Sequence, residues 1–197
     1  RKITLPKLSA NLAEFVGIML GDGHLQPSNG QMDVTINTVT DKGYIQYVSN
    51  LIRRLFKTYV SYSWHESTVT VFITSVDLIK QLRKIGLKAS NKVKAQVDIP
   101  SWILKRRKYK KRFIRGFFDT DGSIYKLRFG VQMAWINRSL PLLQSTREIL
   151  KELGFHPSKM SCFKVYLTRQ NDLKKYIKEI GFGNSKHQKR AKKFGII

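Results

Sequence analysis

The sequence predicts a mixed α/β (α+β) chain made of two tandem, pseudo-symmetric repeats, each helix–strand–strand–helix–strand–strand–helix. Three observations carry this. An apolar run ending in Asp-Gly occurs twice, as Phe15-Val16-Gly17-Ile18-Met19-Leu20-Gly21-Asp22-Gly23 and as Ile114-Arg115-Gly116-Phe117-Phe118-Asp119-Thr120-Asp121-Gly122. One offset of 99 residues relates Asp22 to Asp121 and also Thr40 to Ser139. The closing segments correspond as well: Val71-Phe72-Ile73-Thr74 with Ile85-Gly86-Leu87 answers Val165-Tyr166-Leu167-Thr168 with Ile180-Gly181-Phe182. Self-similarity at a fixed spacing is the mark of a duplicated unit.

Within each copy, residues i and i+4 share a helix face. Gly17 with Gly21, and Gly116 with Thr120, therefore form smooth stripes along which two helices can approach closely, as small-xxx-small pairs do in membranes. Gly23 and Gly122 are expected as the C′ residues that stop each helix. If the helices run in parallel, Asp22 and Asp121 meet at their C-terminal, negative ends. Two carboxylates there call for a cation, and Mg²⁺ or Ca²⁺ with oxygen ligands suits them.

The remaining elements follow in order. Thr4 to Asn11 is a lead-in broken by Pro6, and Leu12 to Leu20 is apolar nearly all round, as in a buried helix. Gln26 to Gly30 is a turn. Gln31 to Asn37 alternates, with Met32, Val34 and Ile36 inward and Gln31, Asp33, Thr35 and Asn37 outward. Thr40 is expected to cap a helix through Tyr44, Val48, Ile52 and Leu55. Strands near 59–65 and 67–74 and a helix over 77–85, closed by Gly86, complete the first half. In the second half a strand over 128–136 places Phe129, Val131, Met133 and Trp135 inward and Arg128, Gln132, Ala134 and Ile136 outward. Ser139 caps a helix that Gly154 ends.

Residues 9–87 are thus read as the first half, 88–108 as a basic linker, 109–184 as the second half and 185–197 as a basic tail. Lys plus Arg number 37 against 13 Asp plus Glu, a net charge of +24. Such an excess on a folded chain points to a polyanion, and the linker and tail are expected to lie along phosphates. An RNA-binding protein of ribosomal type would explain the charge but not the duplicated Asp ends. Cys162 is alone, which excludes a disulfide framework and fits a reducing, intracellular setting. No apolar run reaches membrane-spanning length, and neither a membrane nor a secretory destination is expected. Trp64, Trp102 and Trp135 read as core. His24, His65, His156 and His187 lack ligand spacing and read as surface or core residues.

The two copies, Phe15–Gly23 and Ile114–Gly122, together with Ile99-Pro100-Ser101-Trp102-Ile103 and Ile180-Gly181-Phe182, resemble the LAGLIDADG homing endonucleases in their single-chain, two-motif form. The resemblance covers nearly the whole chain. It implies antiparallel sheets forming a saddle over double-stranded DNA, with the motif helices at the pseudo-twofold axis. It also implies Mg²⁺-dependent cleavage of both strands of a long, nearly asymmetric site by a monomer, with Mn²⁺ as a substitute and Ca²⁺ as a non-productive one. Asp22 and Asp121 become the metal-binding catalytic carboxylates, with the carbonyls of Gly21 and Thr120 as further metal ligands. Thr38 and Asn137 match the family's water-organising position, and Arg169 its basic residue after the fourth strand. The first half has Ser75-Val76 at that last position, a departure. Asp119 matches the motif's other acidic position, Leu20 replaces it in the first copy, and Asp119 is read as packing or capping.

Base contacts are expected from the outward strand faces, since an antiparallel ribbon fits the major groove. The candidates are Gln31, Asp33, Thr35, Asn37 and Thr70 in the first half, and Lys126, Arg128, Gln132, Lys164 and Tyr166 in the second. The family also contains RNA maturases acting on intron RNA and DNA-binding regulators that do not cleave, and either is the alternative reading.

Overall fold

The computed structural model describes residue 3, residues 6–89 and residues 91–197; Thr4 and Leu5 of the lead-in and Ser90 of the linker lie outside the described residues. The first half contains α1 (Ala10–Gly21), β1 (Gly23–Gln26), β2 (Gln31–Asn37), α2 (Lys42–Phe56), β3 (Ser61–Trp64), β4 (Thr68–Thr74) and α3 (Val76–Lys84). A short α4 (Ser101–Leu104) precedes α5 (Arg107–Asp121), β5 (Gly122–Lys126), β6 (Val131–Ile136), α6 (Leu140–Glu152), β7 (Lys164–Leu167), α7 (Gln170–Glu179) and α8 (Ser185–Lys193). Both sheets are antiparallel, ordered β1-β2-β4-β3 and β5-β6-β7.

The two motif helices pack side by side in parallel at the centre. Every residue of α1 from Leu12 to Leu20 is buried, as an all-round apolar helix requires. A Cβ on Gly17 would lie 2.8 Å from the backbone nitrogen of Phe117, and one on Gly116 would collide with the carbonyl oxygen of Glu14. The stripes read from the sequence are therefore the contact itself. Gly23 and Gly122 act differently from expectation. Neither takes a positive φ; Gly122 is extended at φ −91°, and each helix runs directly into a strand. Their glycine character answers crowding, since a Cβ on Gly23 would lie 2.5 Å from Met19 Cα.

Several side chains depart from the alternating pattern. Leu127 N–H donates to Gly130 O at 3.0 Å, which makes residues 127–130 a hairpin turn, so Phe129 projects outward and is 85% exposed. Ala134 keeps the outer face of β6 but is shut in by its cross-strand neighbours Ser123 and Tyr166. Trp64 is 64% exposed at the end of edge strand β3, stacked beside Tyr62, while Trp135 is buried and Trp102 half-buried with its indole N–H on Ile85 O. The second sheet has three strands where the repeat predicts four. Pro157 and the positive φ of Cys162 and Phe163 interrupt a ladder there. Only Ser158 and Ser161 still pair with Tyr166 and Lys164.

The caps also differ in detail. Asp41, not Thr40, occupies the N-cap of α2, because Asn37 Oδ1 accepts from Val39 N, Thr40 N and Thr40 Oγ1 and holds that turn. Ser139 is the N-cap of α6, yet its hydroxyl donates to Val97 O and leaves the helix amides unbonded by it.

Part of the basic stretch at the start of α5 is engaged within the chain. Lys110 pairs with Glu152 and Lys111 with Glu179 at 2.7 Å. Arg107 donates to the carbonyls of Glu152 and Leu153 at 3.3 and 3.4 Å. These cations close the negative C-terminus of α6 and bind α5 to its neighbours. Arg112 and Arg115 grip Glu14, which is wholly buried in α1, at 3.1 and 2.8 Å, and Tyr47 of α2 donates to the same carboxylate.

The region read as a tail forms α8 against the second half. His187 in it is fully buried beside Phe118 and Phe182, with ring centroids at 4.8 and 5.6 Å. Burial, reinforced by the Lys186 charge, pushes its pKa down to about 3.

Two outcomes follow for stability. Gly116→Ala is expected to destabilise by about 2–3 kcal/mol in denaturant melts through overpacking, whereas Gly43→Ala in α2, whose Cβ would meet only the Ser185 hydroxyl at 3.3 Å, should be neutral or stabilising by up to about 1 kcal/mol. His187 stays neutral when folded but takes a proton when unfolded. Its contribution is therefore present above pH about 6.5 and is lost at roughly 1.4 kcal/mol per unit as pH falls toward 3. His187→Phe should flatten the acid limb of the stability curve relative to the parent chain; an unchanged difference across that window would refute the buried, neutral imidazole.

Candidate active site and nucleic-acid interface

Parallel packing brings Asp22 and Asp121 to one place. Gly21 and Thr120 face each other across the helix pair, so that a Cβ on Gly21 would lie 2.7 Å from Thr120 Cβ and 3.1 Å from Asp121 Oδ1. Asp121 is half-buried and Asp22 more open. Burial pushes the Asp121 carboxyl up to about 7; Asn137 pulls it down, and the Asp22 charge adds to the rise. Burial also raises Asp22, against the cations Lys92 and Lys186. Among the described residues no cluster of three or more His, Cys, Asp or Glu side chains could hold a metal. The donors here are two carboxylates and backbone carbonyls, and that hard-oxygen set suits Mg²⁺, which keeps several waters and takes phosphate oxygens as further ligands. Thr120 Oγ1 donates back to Gly116 O and Phe117 O, leaving only its carbonyl for such a role.

The sequence reading missed the cation that the structure places here. Lys92 Nζ donates to Gly21 O, to Gly23 O at 2.8 Å and to Met19 O at 3.4 Å. It meets the unbonded carbonyls at the end of α1, where the macrodipole is negative. Burial lowers its pKa, while Asp121 and Asp22 oppose the shift. An ammonium seated on Gly21 O shows that this locus favours a cation. The signal was faint in the sequence, a single lysine in a basic linker 71 residues after Gly21.

Of the other expected residues, Asn137 is at the site. Its Nδ2 donates to Asp121 Oδ2 at 2.5 Å and its Oδ1 accepts from Ser139 N at 2.7 Å, which fixes the amide. Thr38, its partner at the repeat offset, makes no hydrogen bond to Asp22; its amide donates to Ser67 O at 2.9 Å. The small cavity beside Asp22 is lined instead by Asn37, Asp41, Tyr44, Asp119, Asn184 and Lys186, together with Ile36. Lys186 pairs with Asp41 at 2.7 Å, and Asn184 donates to the same carboxylate. Although burial pushes the Asp41 carboxyl up, hydrogen bonds from Lys186, Thr40 and Asn184 hold it below its ordinary value. Arg169 is the exposed N-cap of α7; the basic groups at the carboxylates are Lys92 and Lys186. Asp119 is buried, accepts from Gly183 N at 2.8 Å and is pushed up to about 8 by burial.

Register sorts the strand residues. Gln31, Asp33, Thr35 and Asn37 pair with Thr74, Phe72, Thr70 and Thr68, so these eight share the face of the first sheet turned from the helices. Asp33 is engaged by Gln31 at 3.3 Å and faces His24 at 3.6 Å, and Thr35 meets Thr70 at 3.3 Å. In the second sheet Gln132, Lys164 and Tyr166 share the corresponding face, with Tyr125 donating to Gln132. Lys126 pairs with Val131 and so has the inward parity, and Arg128 lies in the hairpin turn against Phe129. No helix among the described residues is long and apolar enough to cross a membrane.

Comparison with known proteins places these features. Residues 108–181 match the LAGLIDADG-like domain. The tRNA-splicing ligase RtcB of Methanopyrus kandleri is 23% identical over 95% of this chain and 19% of its own length. The Replication factor C small subunit of Methanocaldococcus jannaschii is 23% identical over 91% and 10%. The chain thus spans less than a fifth of the length of the curated relatives it matches. Among solved structures, the homing endonuclease I-DmoI in complex with DNA and Mn superposes with a TM-score of 0.61 at 16% identity, over 87% of this chain and 96% of that one. Full-length DUF199/WhiA from Thermatoga maritima gives 0.58 at 13% identity, over 96% and 63%. At such identities the likeness shows a shared fold. The second half thus matches a LAGLIDADG-like domain, and the chain as a whole, with its paired motif helices and two antiparallel sheets, shares the fold of these LAGLIDADG structures.

Proposed function

We propose that the chain is a site-specific, divalent-metal-dependent endonuclease acting on double-stranded DNA. The observation that carries this is the convergence of Asp22, Asp121 and the Gly21 carbonyl at the C-terminal ends of two parallel helices, with Lys92 drawn into the same locus. When bound there, Mg²⁺ supplies a Lewis acid for the attacking water and the leaving oxygen. The chain's own residues prepare the site. Asn137 orients the Asp121 carboxylate, and Lys92 and Lys186 offer positive charge where a phosphate gains negative charge. The uncharged row Thr68, Thr70, Thr35 and Gln31 supplies donors and acceptors for base edges. I-DmoI, which has this fold, is seen with target DNA and with Mn, Ca or Mg, which supports the same substrate and ions here. That such a segment lies within proteins named as a ligase and as a replication factor supports a separable module, as intron- or intein-borne homing requires.

One observation favours a second reading. Lys92 already satisfies the Gly21 carbonyl, and a LAGLIDADG protein that binds DNA or intron RNA without cleaving could hold its helices together with that ammonium alone.

Asp22→Asn and Asp121→Asn should each lower double-strand cleavage by on the order of 100-fold or more while leaving DNA binding within a few-fold. The assay is cleavage of a library of randomised or intron-insertion sites in Mg²⁺, Ca²⁺ and EDTA. Cutting in Mg²⁺ with binding alone in Ca²⁺ is the expected result. Both single variants cutting both strands at the parent rate would overturn the metal assignment. Lys92→Met separates the two readings. Loss of cleavage with Ca²⁺-supported binding retained is expected of the endonuclease. Loss of binding regardless of metal, in a chain that cuts nothing, would favour the second.

A further inference from the structure

The two carboxylates at the helix ends differ in what holds them. Asp121 Oδ2 accepts from the Asn137 amide at 2.5 Å. Among the described residues no hydrogen-bond donor meets the Asp22 carboxylate. A carboxylate that binds a metal ion is ordinarily hydrogen-bonded itself, because the second contact fixes which oxygen points at the ion. Asp22 is exposed, yet it also lines the small cavity described above, whose volume is about 20 Å³. That is room for one water molecule.

The polar atoms in the cavity wall divide into those already engaged and those that are not. Asn37 Oδ1 accepts from three donors of the following turn. Asp41 is met by Lys186, Thr40 and Asn184, and Asn184 Oδ1 accepts from Lys186 N at 3.0 Å. Tyr44 Oη and Asp119 Oδ1 have no hydrogen-bond partner among the described residues, although Tyr44 is only 2% exposed and Asp119 1%. Two such orphans in the wall of one cavity call for a small polar molecule between them. The course of α2 agrees. Tyr47, one turn after Tyr44 and stacked on it at 5.7 Å, reaches Glu14 and Arg115. Asp119 lies one turn after Arg115, so Tyr44 addresses the helix pair a turn nearer its carboxylate end. Burial, with the charges of Asp119, Glu14 and Asp22, pushes the Tyr44 hydroxyl well above the ordinary phenol range, so it keeps its proton and offers a donor.

We propose that Tyr44 is the positioning residue for Asp22 and acts through one water molecule held in this cavity. The water accepts from Tyr44 Oη and donates to an Asp22 oxygen. Asp119 Oδ1 is its third partner, and about three is the number that a buried water ordinarily has. Asp22 thereby receives through α2 what Asp121 receives directly from Asn137. At the repeat offset of 99 the counterpart of Tyr44 is Leu143, which has no hydroxyl, so the device belongs to the first half alone. Its catalytic meaning rests on the metal-dependent cleavage proposed above.

The test uses the whole chain and two variants that each delete one buried hydroxyl and keep the ring. Tyr44→Phe removes the proposed donor. Tyr176→Phe is the control, since Tyr176 Oη is also buried without a partner among the described residues but lines no part of the cavity. Cleavage of the two strands of a target duplex in Mg²⁺ is followed separately. Y44F should slow one strand about tenfold relative to the other, the lower end of what removing such a partner costs, with Ca²⁺-supported binding of the duplex unchanged. Y176F should leave the ratio of strand rates as in the parent. An unmoved ratio in Y44F, or the same shift in both variants, would overturn the positioning role while leaving the endonuclease intact. A second readout needs neither metal nor activity. In a high-resolution crystal structure of the metal-free chain, a water within hydrogen-bond distance of both Tyr44 Oη and an Asp22 oxygen, and lost in Y44F, supports the proposal; a cavity without one refutes it. A parent chain that holds this water yet cuts no DNA would overturn the endonuclease reading and leave the water site standing.

Discussion

The contact that the rest of the molecule depends on is the close approach of α1 and α5 at Gly17 and Gly116. A Cβ at either position would meet the partner's backbone, so the helix axes sit nearer than ordinary side-chain packing permits. Parallel alignment then stacks two negative helix poles and two carboxylates at one end. That arrangement is electrostatically unfavourable by itself, and burial makes it more so, as the raised Asp121 and Asp22 show. Relief comes from the Asn137 amide on Asp121 and from positive charge. Lys92 and Lys186 are drawn in from the segments that follow each half. Packing at one end of the interface thus dictates chemistry at the other.

The Glu14 cluster fixes the sliding register of that interface. Smooth glycine stripes give closeness but little resistance to a shift along the axis, whereas a wholly buried carboxylate held by Arg112, Arg115 and Tyr47 has one satisfactory position. A buried ion pair adds little net stability compared with an apolar replacement, but breaking it by removing one partner costs about 3–5 kcal/mol. The cluster is therefore best understood as a device for register. A slip along the axis would strand Glu14 without its partners and separate Asp22 from Asp121 at the same time.

Much of this was legible in the residues. The repeat at a fixed offset, the glycine spacing and the strict alternation of 31–37 identify the helix pair, the fold and both carboxylates, because each is a local pattern with a single packing solution. What escaped was set by tertiary context. Glu14 sits in an apolar run and its partners are 98 and 101 residues away, so nothing nearby marks it as buried. Phe129 continues the period of β6 but lies in a turn closed by Gly130. Trp64 has a core residue's composition and an edge strand's exposure. Lys92 and Lys186 reach the carboxylates by backbone routes that no motif encodes, whereas Thr38 and Arg169 were expected there only through the family resemblance, Thr38 to organise water and Arg169 as the basic residue.

The two halves repeat in backbone more faithfully than in charge. Asp121 has a neutral amide, Asn137, on one oxygen and Lys92 nearby, and Lys92 is held only by carbonyls. At Asp22 the corresponding lysine, Lys186, is tied to a third carboxylate, Asp41, which Asn184 and Thr40 also hold. A carbonyl can release an ammonium to an arriving phosphate without leaving an opposite charge behind. A buried carboxylate cannot, since losing its partner leaves an uncompensated charge. Lys92, on carbonyl anchors, thus faces both carboxylates, and Lys186, the second cation at Asp22, is the more tightly held. The duplication that built the fold has thus left the two carboxylates in chemically distinct surroundings.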